Sequence, residues 1–196
     1  VQSLTSKLPY KVKMQIAVHE ASHAVMYAYF TKPPSQFDIY LYEKAMIKEP
    51  ESRGLVIAKI PQLKGKGFQE WRMLLAIAGI RGELLIYGNH SYGSDNDFQV
   101  WQKQASQFLA EHSSKYTPQP TTSAEMHINK SLESELFDRH TKIVDDYLKK
   151  NKSVVLAIAK QAMVFHSLES HHLHKHLAKI AFTSKFPREK SSGLFG

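Results

Sequence analysis

A mainly α-helical (α+β) domain with a small two- or three-stranded sheet is the fold class this sequence predicts, on three observations. Apolar residues recur at helical spacing through long proline-free stretches: Lys13 to Phe30, Phe68 to Tyr87, Glu125 to Lys150 and Val154 to Phe165. Only two short runs, Phe37 to Tyr42 and Gly54 to Ala58, have the β-branched and aromatic content of strands. A length of 196 residues suits one domain with a sizeable core. The predicted layout is a lead-in over 1–12, a single domain over 13–182 whose C-terminal helical part is 125–182, and a flexible basic tail over 183–196.

Composition narrows the chemistry. There is no cysteine, so disulfides, thiolate metal sites and cysteine nucleophiles are excluded together, and histidine and carboxylates are left as metal ligands. The same absence fits the cytoplasm or another reducing compartment. No apolar run approaches the roughly 20 residues that span a bilayer, and Val1-Gln2-Ser3-Leu4 has no signal-peptide pattern. The first residue is not Met, which suggests trimming or processing and leaves an upstream membrane anchor open. A formal charge of +8 invites a nucleic-acid reading. The basic residues are scattered, however, with modest clusters at Lys149-Lys150-Lys152 and Lys175 to Lys190 and no recognition motif, so no nucleic-acid partner is expected. No Gly-rich loop ends in Gly-Lys-Ser/Thr, so no ATPase module lies within these residues.

The lead-in is broken by Pro9, and the first helix is expected to start near Val12 or Lys13 and to end by Thr31, ahead of Pro33-Pro34. Inside it stands His19-Glu20-Ala21-Ser22-His23. A helix puts His19 and His23 one turn apart on one face, able to hold one metal ion between them. Glu20, one residue on, sits beside that ion, where a general base for a water belongs. This is the H-E-x-x-H arrangement of zinc peptidases. The alternative is a pair of core histidines hydrogen-bonded to neighbours. Against it, Val18, Ala21, Ala24, Val25 and Ala28 make the surroundings small and apolar, and two histidines and a glutamate buried there need a compensating partner.

Phe37 to Tyr42 and Gly54 to Ala58 read as strands able to pair, one of them an exposed edge. In a peptidase such an edge binds substrate as an added strand; an ordinary ribbon covering the core is the other reading. Lys64 to Gly67 reads as a loop. The apolar helix Phe68 to Tyr87 follows, with Gly79 and Gly82 permitting close packing and Gly88 ending it. Glu83 is the carboxylate that this apolar helix must partner. A hydrogen bond to a ligand histidine satisfies it; Arg81, two residues away, does not face it; a partner elsewhere in the core remains open.

Asn89 to Asp97 is the second chemically rich segment, leading into a helix from about Asp95 or Asn96 to Glu111. Ser94 with Asp97 matches a capping box. A catalytic zinc also wants a third protein ligand, and by chemistry Asp95, Asp97 and His90 all qualify. Spacing does not choose among them. Ser113 to Ser123 reads as a Thr/Pro-rich connection, Glu125 to Lys150 as a helix irregular near its start, and Asn151-Lys152-Ser153 as a turn with Ser153 as N-cap. Helices then cover Val154 to Phe165 and Leu168 to Phe182. His172 and His176 are one turn apart, but no acidic residue is placed beside them as Glu20 is beside His19, so the histidines at 166, 171, 172, 174 and 176 read as a surface feature.

Taken together, these motifs resemble the peptidase domain of FtsH-type ATP-dependent zinc proteases. His19-Glu20-Ala21-Ser22-His23 looks like that family's zinc motif. Ala78 to Gly88 resembles its second helix, typically Gly-Gly-Arg-x-Ala-Glu-Glu-Leu-x-x-Gly, and Ser91 to Phe98 resembles its Ser-Thr-Gly-Ala-x-Asn-Asp-Leu segment. The strand pair and the helical stretch from Tyr147 to Leu168 fit the same layout, with Leu168-Glu169 echoing its Glu-x-Leu, so the resemblance covers most of residues 13 to 180. Ser22 and Ala78 replace glycines, Leu84 replaces the second glutamate, and the ATPase module is absent. The resemblance implies that Asp97 is the third ligand of Zn2+ and that Glu83 supports the metal. It implies a zinc endopeptidase acting on peptides or unfolded polypeptides, with Glu20 as general base. It also implies an ATPase that lies outside these residues or joins as a separate partner, and a hexamer where that ATPase holds one. A catalytically inactive interaction or assembly module of the same fold is the second expectation, and a basic nucleic-acid-associated protein the third.

Overall fold

The computed structural model describes residues 8–41, 54–61, 63–90 and 94–189, with Ser94 and Asp95 described for their backbone alone. Tyr42 and the loop that follows it, Ser91 to Gly93, the Ser94 capping box, the Asp95 carboxylate and the tail beyond residue 189 lie outside the described residues or side chains.

Six helices and a three-stranded antiparallel sheet form among the described residues. Helix α1 (Tyr10–Val25) starts directly after Pro9, two residues before the expected start. Proline's fixed φ and missing N–H cost nothing at a helix entry, so Pro9 opens the helix rather than delaying it. Residues Met26–Tyr29 tighten into a 3-10 turn. From Ile16 onward almost every α1 side chain is buried, because α1 lies between α2 (Lys66–Tyr87) and α5 (Lys152–Phe165) and beneath the sheet. Its small residues Ala17, Val18, Ala21 and Ala24 are fully enclosed.

Helices α1 and α2 run antiparallel: Met26 meets Trp71, His23 meets Leu75, and Gln15 meets Glu83. At one end the Trp71 indole lies within 4.9–5.5 Å, centroid to centroid, of Tyr27, Tyr29, Phe30 and Phe68. Its N–H donates to the Met26 carbonyl at 2.8 Å, so the burial of the ring leaves no orphan donor. At the other end glycines take over. A Cβ on Gly82 would strike the Ser22 hydroxyl, which donates back to Val18 O at 2.7 Å. Ser22 is thus accommodated by the glycine opposite it.

Strand β1 (Phe37–Leu41) is central, flanked by β2 (Gly54–Ala58) and by β3 (Ser167–Leu168), in the order β2-β1-β3. Phe37 pairs with Ala58 and Leu41 with Gly54. Phe37 and Ile39 point into the core, while Tyr40, Leu55 and Ile57 are exposed, which is the alternation a one-sided sheet requires. The outer edge of β2 is unpaired among the described residues.

Helix α3 (Ser94–His112) packs on α2, and α4 (Ser123–Lys150) on α2 and α3. The Trp101 N–H donates to Nδ1 of the fully buried His140 at 3.1 Å, and Trp101 stacks on Phe98. Arg81 of α2 grips Asp145 of α4 through two hydrogen bonds, at 2.7 and 2.5 Å.

Four expectations are corrected. Helix α4 is regular from Ser123, because Thr122 and Glu125 form a reciprocal capping box that satisfies N–H groups of its first turn. Helix α5 starts at Lys152 after Asn151, not after a Ser153 cap; the Asn151 side chain is engaged instead with Tyr147 and Ala181 backbone atoms. Leu168 belongs to a strand, since pairing with Ile39 claims it, and α6 (Ser170–Leu177) is correspondingly short. The described part of the expected loose tail, up to residue 189, is tied down. Phe186 stacks on Tyr147 at 3.9 Å, and Glu189 accepts from Thr31 and donates its N–H to Tyr29 O. Among the described residues no helix is long and apolar enough to cross a membrane.

Candidate metal centre

Where α1, α2 and the first turn of α3 meet, three side chains turn toward one point. His19 Nε2 and His23 Nε2 are 3.0 Å apart, and Asp97 Oδ2 lies 3.0 Å from the first and 3.3 Å from the second. Among the described residues this is the one group of three metal-capable side chains whose ligand atoms lie within 4.8 Å of one another. Helix geometry brings the histidines together, because residues four apart share a face. Asp97 arrives because α3 starts at Ser94, which puts Asp97 in the first turn, on the side facing α1.

The far side of each ring decides what the near side offers. His19 Nδ1 is 2.6 Å from Glu83 Oε1, and His23 Nδ1 is 2.9 Å from the Leu75 carbonyl. Both partners are acceptors, so each Nδ1 carries the proton and each Nε2 presents a lone pair. Glu83, fully buried, is therefore joined to His19 rather than to Arg81, which pairs with Asp145. Its second oxygen accepts from Gln15 Nε2 at 2.6 Å.

Three acceptors that face each other at 3.0 to 3.3 Å repel unless a cation stands between them. Asp97 Oδ2 is buried and receives no well-formed hydrogen bond from any donor. Burial acts to lower the His19 pKa. The Asp97 and Glu83 carboxylates at its two nitrogens, with the charge of Glu20 behind them, override it and push it up to about 10. Burial likewise acts to raise Asp97, but the two histidines hold it well below the ordinary carboxylate range. The same crowding of negative charge and lone pairs favours a cation at this point. Zinc suits the same place. Ligand atoms on a tetrahedral zinc, each about 2.0–2.1 Å from the ion, stand about 3.3 Å apart, and two imidazoles with one carboxylate are an accepted donor set.

Glu20 lies on the next face of α1, 8% exposed, under the start of β2. A Cβ on Gly54 would come within 2.6 Å of its Cγ and Oε1, so glycine there is what lets the strand cross over the carboxylate. Burial pushes the Glu20 pKa up, partly countered by His19 and His23. A carboxylate with a raised pKa is a better proton acceptor at neutral pH.

Of the other two candidates for third ligand, His90 is exposed and outside the cluster, and the Asp95 side chain lies outside those described. His172 and His176 gain no third ligand among the described residues, and His176 bonds Gln161 instead. Several contributors were not anticipated from sequence: Gln15, the Leu75 carbonyl, Gly54 and the specific need for Gly79. A Cβ on Gly79 would collide with the His19 and His23 rings at their Nε2 atoms. Gly79→Ala is expected to weaken zinc binding more than tenfold. Its gain of about 1 kcal/mol in helix propensity is offset by an overpacking cost of about 1–3 kcal/mol. Zinc titration beside urea unfolding measures both, and unchanged zinc affinity would refute the close fit.

No protein-family model matches this chain, and no curated protein matches its sequence.

Proposed function

We propose that this chain is a zinc-dependent endopeptidase of unfolded or extended polypeptides, resembling the peptidase domain of FtsH-type proteases. The observation that carries the reading is the convergence of His19 Nε2, His23 Nε2 and Asp97 Oδ2, with the buried carboxylate of Glu20 beside it. The order of the motifs along α1, α2 and α3, and a small sheet next to the site, support the family likeness.

In this reading His19, His23 and Asp97 would hold Zn2+, which would supply the Lewis acidity that eases deprotonation of a water and polarises a scissile carbonyl. Everything else falls to the chain. Glu83 and the Leu75 carbonyl hold the two imidazoles in the tautomer that leaves Nε2 free. A Glu20 oxygen takes the proton of the attacking water and passes it to the departing amine nitrogen. The outer edge of β2 holds the substrate backbone as an added strand, which makes few demands on side-chain identity and suits unfolded chains. An ATPase acting in trans and assembly into a hexamer belong to the likeness alone.

Zinc removal tests the proposal. Cleavage of a fluorescently labelled unfolded protein is expected to stop when the chain is stripped with a chelator, and to return with about one equivalent of zinc. Cleavage that survives complete stripping would overturn it, as would a zinc-loaded chain that cleaves no unfolded protein.

A further inference from the structure

Glu83 offers two carboxylate oxygens in a fully buried position, and His19 takes one of them. The other, Oε2, accepts from Gln15 Nε2 at 2.6 Å. Gln15 precedes His19 by one helical turn on α1, so both side chains leave the same face and reach the same glutamate on α2. The direction of the Gln15 amide is dictated by its neighbour. A carboxylate oxygen accepts, so the NH2 end of the Gln15 amide faces Glu83.

We infer that Gln15 is a positioning residue of the metal centre. It fixes the Glu83 carboxylate so that Oε1 meets the Nδ1–H of His19, and thereby aims the His19 Nε2 lone pair at the point it shares with His23 and Asp97. The inference rests on the reading of those three residues as metal ligands and is independent of peptidase chemistry.

The physical reason is torsional. The last torsion of a glutamate and the ring torsion of a histidine both have broad, shallow wells. A carboxylate held at one oxygen swings about its Cγ–Cδ bond, and the imidazole hydrogen-bonded to it swings too. A donor on each oxygen fixes the carboxylate plane, and the fixed plane fixes the ring. Loss of a ligand's hydrogen-bond partner costs roughly 10–100-fold in metal affinity, and Gln15 acts one bond further out, so about 3–10-fold is expected.

The test is zinc affinity of the full chain by chelator competition, with thermal unfolding of each metal-free protein alongside. Four proteins are compared: wild type, Gln15→Met, Glu83→Met and the double variant. Gln15→Met is expected to lose about 3–10-fold, Glu83→Met more, and the double variant no more than Glu83→Met alone. That non-additivity is what a merely structural role does not produce. Gln15→Glu keeps size and polarity but sets an acceptor against Glu83. It is expected to weaken zinc at least as much, and it carries the test should Gln15→Met not fold. Equal affinity of the Gln15 variants and wild type would overturn the inference, and so would an equal loss from Gln15→Met in the Glu83→Met background. A wild-type chain that binds no zinc would instead overturn the metal reading, and the two failures are told apart by the wild-type arm.

Discussion

Glu20→Gln is expected to lose peptidase turnover by about 10²–10⁴-fold while keeping its zinc, the range that a positioned general base supplies. The substitution preserves length and shape, so Gly54 still crosses above the side chain and α1 is undisturbed. What it removes is a site for a proton. Glu20 is not among the three converging side chains proposed to hold the metal, so zinc stoichiometry should match wild type. The metal-free variant should also be no less stable. An acid whose pKa is raised on folding costs stability at pH above that raised value, and the cost vanishes below its unfolded value. A neutral amide of the same shape escapes the cost. Turnover of an unfolded protein, zinc content and a melting curve on one preparation read all three. Wild-type turnover in Glu20→Gln would refute the assigned role, and loss of zinc would move Glu20 into the ligand set. An inactive interaction module predicts no turnover in either protein.

How much of this was legible beforehand depends on whether a feature is local. The pair His19 and His23 needs only a helix, and the apolar run around it announces one. Glu83 was legible as a demand, because a carboxylate within Leu, Ile and Ala must find a partner. Which partner it finds is set by the antiparallel packing of α1 on α2, and that packing also makes Gln15 and Gly79 matter. On its own turn Gln15 is an ordinary half-buried helix residue. The 2-residue strand at Leu168 depends on β1 lying opposite it, and Phe186 is held by stacking on Tyr147, far away in sequence. Neither relation is visible within a local window. The capping box at Thr122 and Glu125 is a local signal that was present in the sequence and was masked by the prolines of the preceding connection.

Asp97→Asn should cost zinc affinity by more than the roughly 10–100-fold that follows loss of an outer hydrogen-bond partner, because it neutralises a proposed ligand itself. The amide oxygen of that variant can still approach the histidines, but without the charge that balances a divalent ion. The metal-free protein should change as well. Asp97 contributes to the raised pKa of His19, so its neutralisation lowers that pKa and loosens the first turn of α3 from α1. Asp97 itself, held below its ordinary range, contributes stability at pH above its unfolded value that is lost as pH falls through the folded one. Asp97→Asn should therefore show a shallower loss of metal-free stability on acidification than wild type. His90→Ala serves as the control and should keep zinc, since His90 is exposed and outside the cluster. Zinc titration of the two variants resolves a choice that spacing left open among Asp95, Asp97 and His90. Full zinc affinity in Asp97→Asn would mean that α3 reaches the metal through a different residue, and the geometry argued for its first turn would be wrong.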